Sequence, residues 1–549
     1  MTGRLQVGPP AGRCWHALAL LFAMSLTAAA CSGGDGDPEV SGGVAGSSGQ
    51  EEPGAGEAAG DDEAGEPQTG GTLRAVVALN PSSLDPHAGG SGGDHVSLYP
   101  IYDTLVTFDE ETLAAEPGLA SSWEFVEDPP ALVLTLEEGV EFHDGTPFDA
   151  EAVRYNIERV RTMETSTIKT VLTSVDSVEV VAANEVRLNL NRMDTALPLI
   201  LADRAGMMVS PTAAEALGEE LEANPVGAGP FRFVEWAPGD RLVVERNDAY
   251  WRDGLPYLDG ITFTYLIDPQ TQINALESNQ ADFLLGVAAA DIDRVERAPG
   301  VELVQSSTLG FEHCQFNTTK PPFDDVRVRE AFNLALNRES MLEALNFGVG
   351  QVAWQPVPEE HWAYREELSP TFEYDPDKAK ELLAEAGYED GLSISGLSYA
   401  GEYQVRKNEI VRAQLAEVGI DMPFEVLEVS VAVEEFYTNA AYDVFCTGWS
   451  GRPDPNQTFA ELFTDDAYYM VGPTGVGEEM TRLLAEATSV EDIEERAAVY
   501  SQITELVEGN ALHAPLVYGA STQAFSDTVH GYTPNLYGKP KLDEVWMDQ

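Results

Sequence analysis

The chain has 549 residues, 43% of them hydrophobic, and a net charge of −62. That is long enough for two or three domains with real cores, and too acidic to take nucleic acid as a partner, because the phosphate backbone would be repelled. The acids are spread over the whole chain, which reads as a solvated surface that keeps the protein soluble rather than as one acidic site.

The N-terminus carries only Arg4 and Arg13 as charges, followed by an uncharged apolar run from Trp15 to Ala30 and then Cys31. Small residues, Ala28-Ala29-Ala30, stand directly before the cysteine. This is the pattern of a secretory signal, and a cysteine at that point is where exported bacterial lipoproteins receive their lipid. The run is short for a membrane span, which needs about 20 apolar residues. Residues 1–30 are therefore read as a lipoprotein signal peptide, Cys31 as the lipidation site, and the mature protein as anchored to the outer face of the cell membrane. From Ser32 to Gly70 there is no aromatic residue and no Lys or Arg. Such a segment cannot offset its own conformational entropy by burial. Residues 31–70 are expected to be a disordered acidic tether reaching about 35 Å as a random coil.

Beyond it, strands and helices alternate. Leu132–Leu136, Val186–Leu190 and Ile261–Tyr265 have period-2 or β-branched character. Asp149 opens a helix with Val153, Ile157 and Val160 on one side. Asp268-Pro269 opens another, with Ile273 and Leu276 inward, and Asp375-Pro376 a third, striped by Ala379, Leu382, Leu383 and Ala386 and stopped at Gly387. Ile410 to Val418 ends at Gly419 in the same style. The result is a mixed α/β body without a solenoid repeat. Of four cysteines, Cys14 lies in the signal and Cys31 is the lipid site. Cys314 and Cys446 remain, either as one disulfide, as suits an exported protein, or as two buried thiols.

Catalytic constellations are missing. No His-Glu-x-x-His helix and no phosphate-binding Gly-x-x-x-x-Gly-Lys-Ser/Thr loop occurs. Gly448-Trp449-Ser450-Gly451 lacks the spacing of a nucleophile elbow. His143-Asp144-Gly145 followed by Thr146-Pro147 reads as a turn. Val226-Gly227-Ala228-Gly229-Pro230 offers either a backbone anion nest or a close chain crossing, and the crossing is the simpler reading. No enzymatic activity is expected.

A series of motifs then carries a resemblance. In order they include Leu84-Asp85-Pro86-His87, Ile101-Tyr102-Asp103-Thr104-Leu105, Pro117-Gly118-Leu119-Ala120 and Phe142-His143-Asp144-Gly145-Thr146-Pro147-Phe148. Then come Gly227-Ala228-Gly229-Pro230-Phe231, Asn247-Asp248-Ala249-Tyr250-Trp251, Pro322-Phe323-Asp324-Asp325-Val326-Arg327-Val328-Arg329 and Tyr374-Asp375-Pro376. Over nearly the whole mature chain this order resembles the family 5 extracellular solute-binding proteins, the oligopeptide, dipeptide, nickel and glutathione receptors of ABC importers. The resemblance implies a periplasmic-binding-protein-like fold of class II type, two α/β lobes on a two-strand hinge near Phe311–Asn317 and Ala514–Tyr518, with an extra small inserted domain. Lobe I would comprise residues 71–106, 225–312 and 517–549, the inserted domain II residues 107–224, and lobe II residues 313–516.

The same resemblance points to a ligand site. In the peptide receptors a strand leads into a Gly-Trp pair beside the ligand, here Gly448-Trp449, and an acid three residues after the Trp holds the peptide ammonium. This chain has Arg452 there, a fork of donors suited to a carboxylate or phosphate. Asp454 either takes over the acid's role or caps a turn. His87 with the glycines after it, Glu312, Tyr403 (placed just before the helix that ends at Gly419) and Trp354 are further candidates for the cleft wall. If the strands of Cys314 and Cys446 are neighbours in lobe II, the two sulfurs meet. A nickel site would need clustered histidines, and the eight here are dispersed. No metal and no cofactor are expected. The implied partners are a small polar or peptide-like solute, anionic where Arg452 meets it, the transmembrane subunits of an ABC permease, and the membrane through the lipid. The protein itself would be a monomer. An exported hydrolase on an α/β scaffold and a ligand receptor for a sensor system are the rival readings.

Overall fold

A computed structural model describes residues 66–89 and 94–549. The signal peptide, Cys31, nearly all of the tether and residues 90–93 of the glycine-rich stretch lie outside the described residues. Among the described residues no helix is long and apolar enough to cross a membrane.

Two long strands, Val301–Phe316 and His513–Ser526, form the spine. They pair antiparallel along almost their full lengths, with a register shift between Ser307 and Phe311. The first half of one, Val301–Ser307, against the last half of the other, Ala520–Ser526, belongs to one α/β layer, where Phe283–Leu284, Thr72–Val77, Gly260–Tyr265, Arg241–Arg246 and Phe231–Ala237 continue the sheet. Beyond the shift, Phe311–Gln315 faces His513–Tyr518, and the sheet continues the other way through Val444–Trp449, Gly396–Tyr399 and Phe424–Leu427. One 11-stranded sheet thus serves two separate cores. Leu73, Ile261, Phe263 and Phe283 centre the first; Phe316, Phe332, Leu415 and Leu516 centre the second.

A separate four-stranded antiparallel sheet is built from Ala120–Glu127, Pro130–Leu136, Glu185–Leu190 and Val175–Ala182. Its alternation is visible in the burial of Leu132, Leu134 and Leu136 and of Val186, Leu188 and Leu190. The helix Ala150–Thr162 covers it with Val153, Ile157 and Val160, and the Asp149 side chain caps that helix by accepting from Ala152 N–H at 3.1 Å. Asp268 and Asp375 cap Pro269–Glu277 and Pro376–Glu385 in the same way.

The helix expected over Ile410–Val418 is longer than its sequence signal. It runs Glu402–Glu417 and starts at Gly401, whose φ of +157° comes with no side-chain cap. Tyr403 therefore lies inside the first turn of this helix rather than ahead of it. Cys314 and Cys446 are direct cross-strand partners, fully buried, and joined as a disulfide with Cα atoms 3.9 Å apart. Val226–Pro230 is the chain crossing. A Cβ on Gly227 would collide with the Ile101 carbonyl oxygen, and the His143 ring closes the other side, 2.9 Å from the Gly229 oxygen.

Candidate ligand cleft

A cavity of about 890 Å³ opens between two walls. One wall comes from His95, from the segments around Thr167–Thr173 and Arg192–Arg204, and from Tyr537 and Lys539; the other comes from Ser450 to Tyr469. At its edge the walls touch. Thr195 N–H donates to the Thr488 carbonyl at 2.9 Å, and its hydroxyl to the Ala487 carbonyl at 3.3 Å.

Arg452 sits on this cavity because the strand Val444–Trp449 ends just before it. One guanidinium nitrogen donates to the Gly451 carbonyl at 2.7 Å and to Ser450 Oγ at 3.1 Å. The other reaches Glu461 Oε2 at 2.9 Å. The guanidinium lies 4.5 Å from the centre of the Trp449 ring, a cation–π arrangement. Trp449 itself is buried, donates its indole N–H to Thr458 at 3.2 Å and packs edge-on against Tyr469. With a quarter of the Arg452 side chain exposed, donors remain available to the cavity.

On the opposite wall, Asp203 follows the apolar segment Leu197–Ile200. His95 Nε2 lies 2.5 Å from its Oδ1, and the Tyr537 hydroxyl donates to Oδ2 at 3.0 Å. Burial works against its charge, but the field and hydrogen bond of His95, the Arg204 backbone N–H and the Tyr537 hydroxyl outweigh that and hold the carboxyl well below its ordinary range. Asp194, on the same wall, goes the other way: burial raises its pKa.

A second cavity of about 630 Å³ holds Glu312 and Tyr403, and Trp449 lines it too. Glu312 is ion-paired with Lys407, whose side chain is completely buried. Tyr403 donates to Asn346 at 3.1 Å.

Three of the residues singled out from sequence are elsewhere. Asp454 is fully buried, caps the helix Pro455–Phe463 through Asn456 N–H, and is ion-paired with Arg496 at 2.9 Å. It cannot meet a solute, and of its two sequence readings only the capping one matches its position. His87 is buried with Nδ1 2.7 Å from Arg159, which also grips Asp85. Burial first, then the charge of Arg159, lowers its pKa to about 3, so it is a neutral anchor of the loop rather than a wall residue. Trp354 lies against Arg338, 5.4 Å from ring centre to guanidinium, and borders neither cavity. Sequence reasoning missed Asp203, His95, Tyr537 and Lys539. The only sign of Asp203 was an acid-base pair, Asp203-Arg204, closing an apolar run.

Two sheet layers sharing a pair of long strands, with a polar cavity between the second layer and the body that carries the four-stranded sheet, are the arrangement of a two-lobed solute-binding protein. The family model for bacterial extracellular solute-binding proteins, family 5, matches residues 114–470. The chain belongs to that family, whose members are solute-binding proteins of ABC importers. It is 28% identical over 470 residues to the glutathione-binding protein GsiB of Salmonella paratyphi A, covering 83% of this chain and 91% of the relative. It is 28% identical over 501 residues to heme-binding protein A of Haemophilus influenzae, covering 83% and 88%. Among solved structures it is similar to the periplasmic binding protein DppA of Helicobacter pylori in complex with the peptide STSA. That match has a TM-score of 0.76 and 26% identity, over 88% of this chain and 99% of the other.

Proposed function

We propose that this protein is the lipid-anchored capture component of an ABC importer. It takes up a peptide-like solute bearing an anionic group and hands it, enclosed, to the permease, without chemical change to the solute. In this reading residues 71–106, 225–312 and 517–549 form lobe I, residues 107–224 an inserted domain, and residues 313–516 lobe II. The packing supports an insertion, because the four-stranded sheet has its own core, although Met207, Val209 and Leu221 already pack in the first layer. The observation that carries the reading is the Arg452 guanidinium, held over Trp449 at the mouth of an interlobe cavity large enough for several amino-acid residues. Two of the three relatives above, a glutathione-binding protein and a binding protein in complex with a peptide, support the peptide-like solute.

Arg452→Ala tests this reading. Losing a charge partner that the closed cleft buries commonly costs about 2–5 kcal/mol, roughly thirty-fold to several-thousand-fold in affinity. Calorimetric titration with a free tripeptide, against wild type and variant, reads that loss. If the Arg452–Glu461 pair is instead an ordinary exposed one, worth at most about 1 kcal/mol, the affinity stays unchanged and the anionic-solute reading falls.

Anchoring has its own test. Cys31→Ala is expected to release a folded protein from the membrane into the medium, because the segment after Cys31, without aromatic residues, Lys or Arg up to Gly70, is too polar to contribute a core. Retention of the variant in the membrane fraction would rule the lipid anchor out.

A further inference from the structure

Arg452 stands where the resemblance places an ammonium-binding acid, so a peptide's positive end needs another partner. We propose that Asp203, on the facing wall of the same cavity, binds the cationic end of a dipolar ligand whose anionic end is held by Arg452. This rests on the peptide-like reading above and adds where each charge of the solute goes.

The two residues belong to opposite walls of the 890 Å³ cavity. Asp203 extends from the wall that contains the four-stranded sheet's core, and Arg452 from the end of the Val444–Trp449 strand. Tyr537 lies between their influences. Its hydroxyl donates to Asp203, and the charge of Arg452 reaches it as well. A carboxylate has about four acceptor positions. His95, Tyr537 and the Arg204 backbone N–H engage Asp203, and 23% of the side chain remains exposed. Its ion-pair partner among the described residues is His95, which carries charge only when protonated, whereas Glu461 and Glu312 face a permanent Arg or Lys; Lys539 is near enough to feel its charge.

The alternatives on the cavity wall are poorer. Asp194 is buried and pushed toward neutrality, Glu461 is taken up by Arg452, and Asp466 is exposed. In the second cavity Glu312 already neutralises the buried Lys407. Because Asp203 and Arg452 sit on different walls, a ligand bridging them favours the closed cleft, whereas a ligand with one charge engages one wall only.

The experiment is calorimetric titration of the purified protein with tri-alanine, its N-acetyl derivative and its C-terminal amide. Wild type should bind tri-alanine at least thirty-fold more tightly than either blocked form. Asp203→Asn keeps the size of the side chain and an oxygen for its neighbours. It should weaken tri-alanine by at least thirty-fold while leaving the N-acetyl form unchanged, and Arg452→Ala should do the same with respect to the amide. If Asp203→Asn weakens tri-alanine and N-acetyl-tri-alanine equally, Asp203 only supports the wall and the inference is overturned. If acetylation costs nothing in wild type, the inference also fails while the receptor reading stands. If none of the three peptides binds wild type, the peptide reading falls and takes this inference with it. The acetylation arm requires no variant, so indifference to acetylation overturns the inference even if a variant fails to fold.

Discussion

Asp454→Ala destabilises the protein by about 3–5 kcal/mol, the cost of stranding a buried charge. Arg496 keeps only 7% of its side chain exposed, and its partner carboxylate none. The guanidinium also donates to the Ala487 carbonyl and lies over the Trp362 and Tyr500 rings. It is therefore too enclosed to swing out to water when the carboxylate goes. Loss of the cap on Pro455–Phe463 adds to the same change, at about 1 kcal/mol. Asp454→Asn keeps a capping oxygen and removes only the charge, so it should fall short of the alanine variant by roughly that capping contribution. Urea unfolding followed by circular dichroism measures all of this, and a loss below about 1 kcal/mol for the alanine variant would mean that the pair is not buried as described.

Removing the Cys314–Cys446 bridge is the second large effect. The bridge closes a loop of 132 residues, for which the chain-entropy model gives about 5 kcal/mol, with measured values commonly 2–4. It also ties the central strand Val301–Phe316 to its neighbour Val444–Trp449 immediately below Trp449, so the wall carrying Arg452 is fixed to the spine. The double variant Cys314→Ala with Cys446→Ala should lose about 2–5 kcal/mol in the same urea assay, and reduction of wild type should match it. Equal stability of the oxidised, reduced and double-variant proteins would contradict this.

The parts of the fold legible in the sequence were those encoded locally. Asp149, Asp268 and Asp375 each announce a helix because the cap, the proline or the apolar stripe lies within a few residues. The start of Glu402–Glu417 was illegible, since it begins at a glycine with no capping side chain. Long-range partners were not legible: the sequence left Cys314 and Cys446 open between a bridge and two thiols, and the pairing of their strands came only with the structure. Nothing near Asp454 in sequence announces Arg496, 42 residues away, so the sequence could not choose between a ligand group and a cap. The same holds for His87, whose neutralising partner Arg159 lies 72 residues on. That Arg452 lines the cavity was readable because the strand Val444–Trp449 leads directly to it. The place of Asp203 was not, because its side-chain partners His95 and Tyr537 lie 108 and 334 residues away.

Closure over a solute is most directly read by small-angle scattering, with and without a saturating peptide. The contact between Thr195 and Thr488 spans the cavity edge, so opening must break it and spread the two layers apart about the long strands. The peptide-free protein should have the larger radius of gyration, and saturation with a peptide that calorimetry shows to bind should contract it. A tightly bound peptide that leaves the radius of gyration unchanged would contradict a cleft that closes on its ligand.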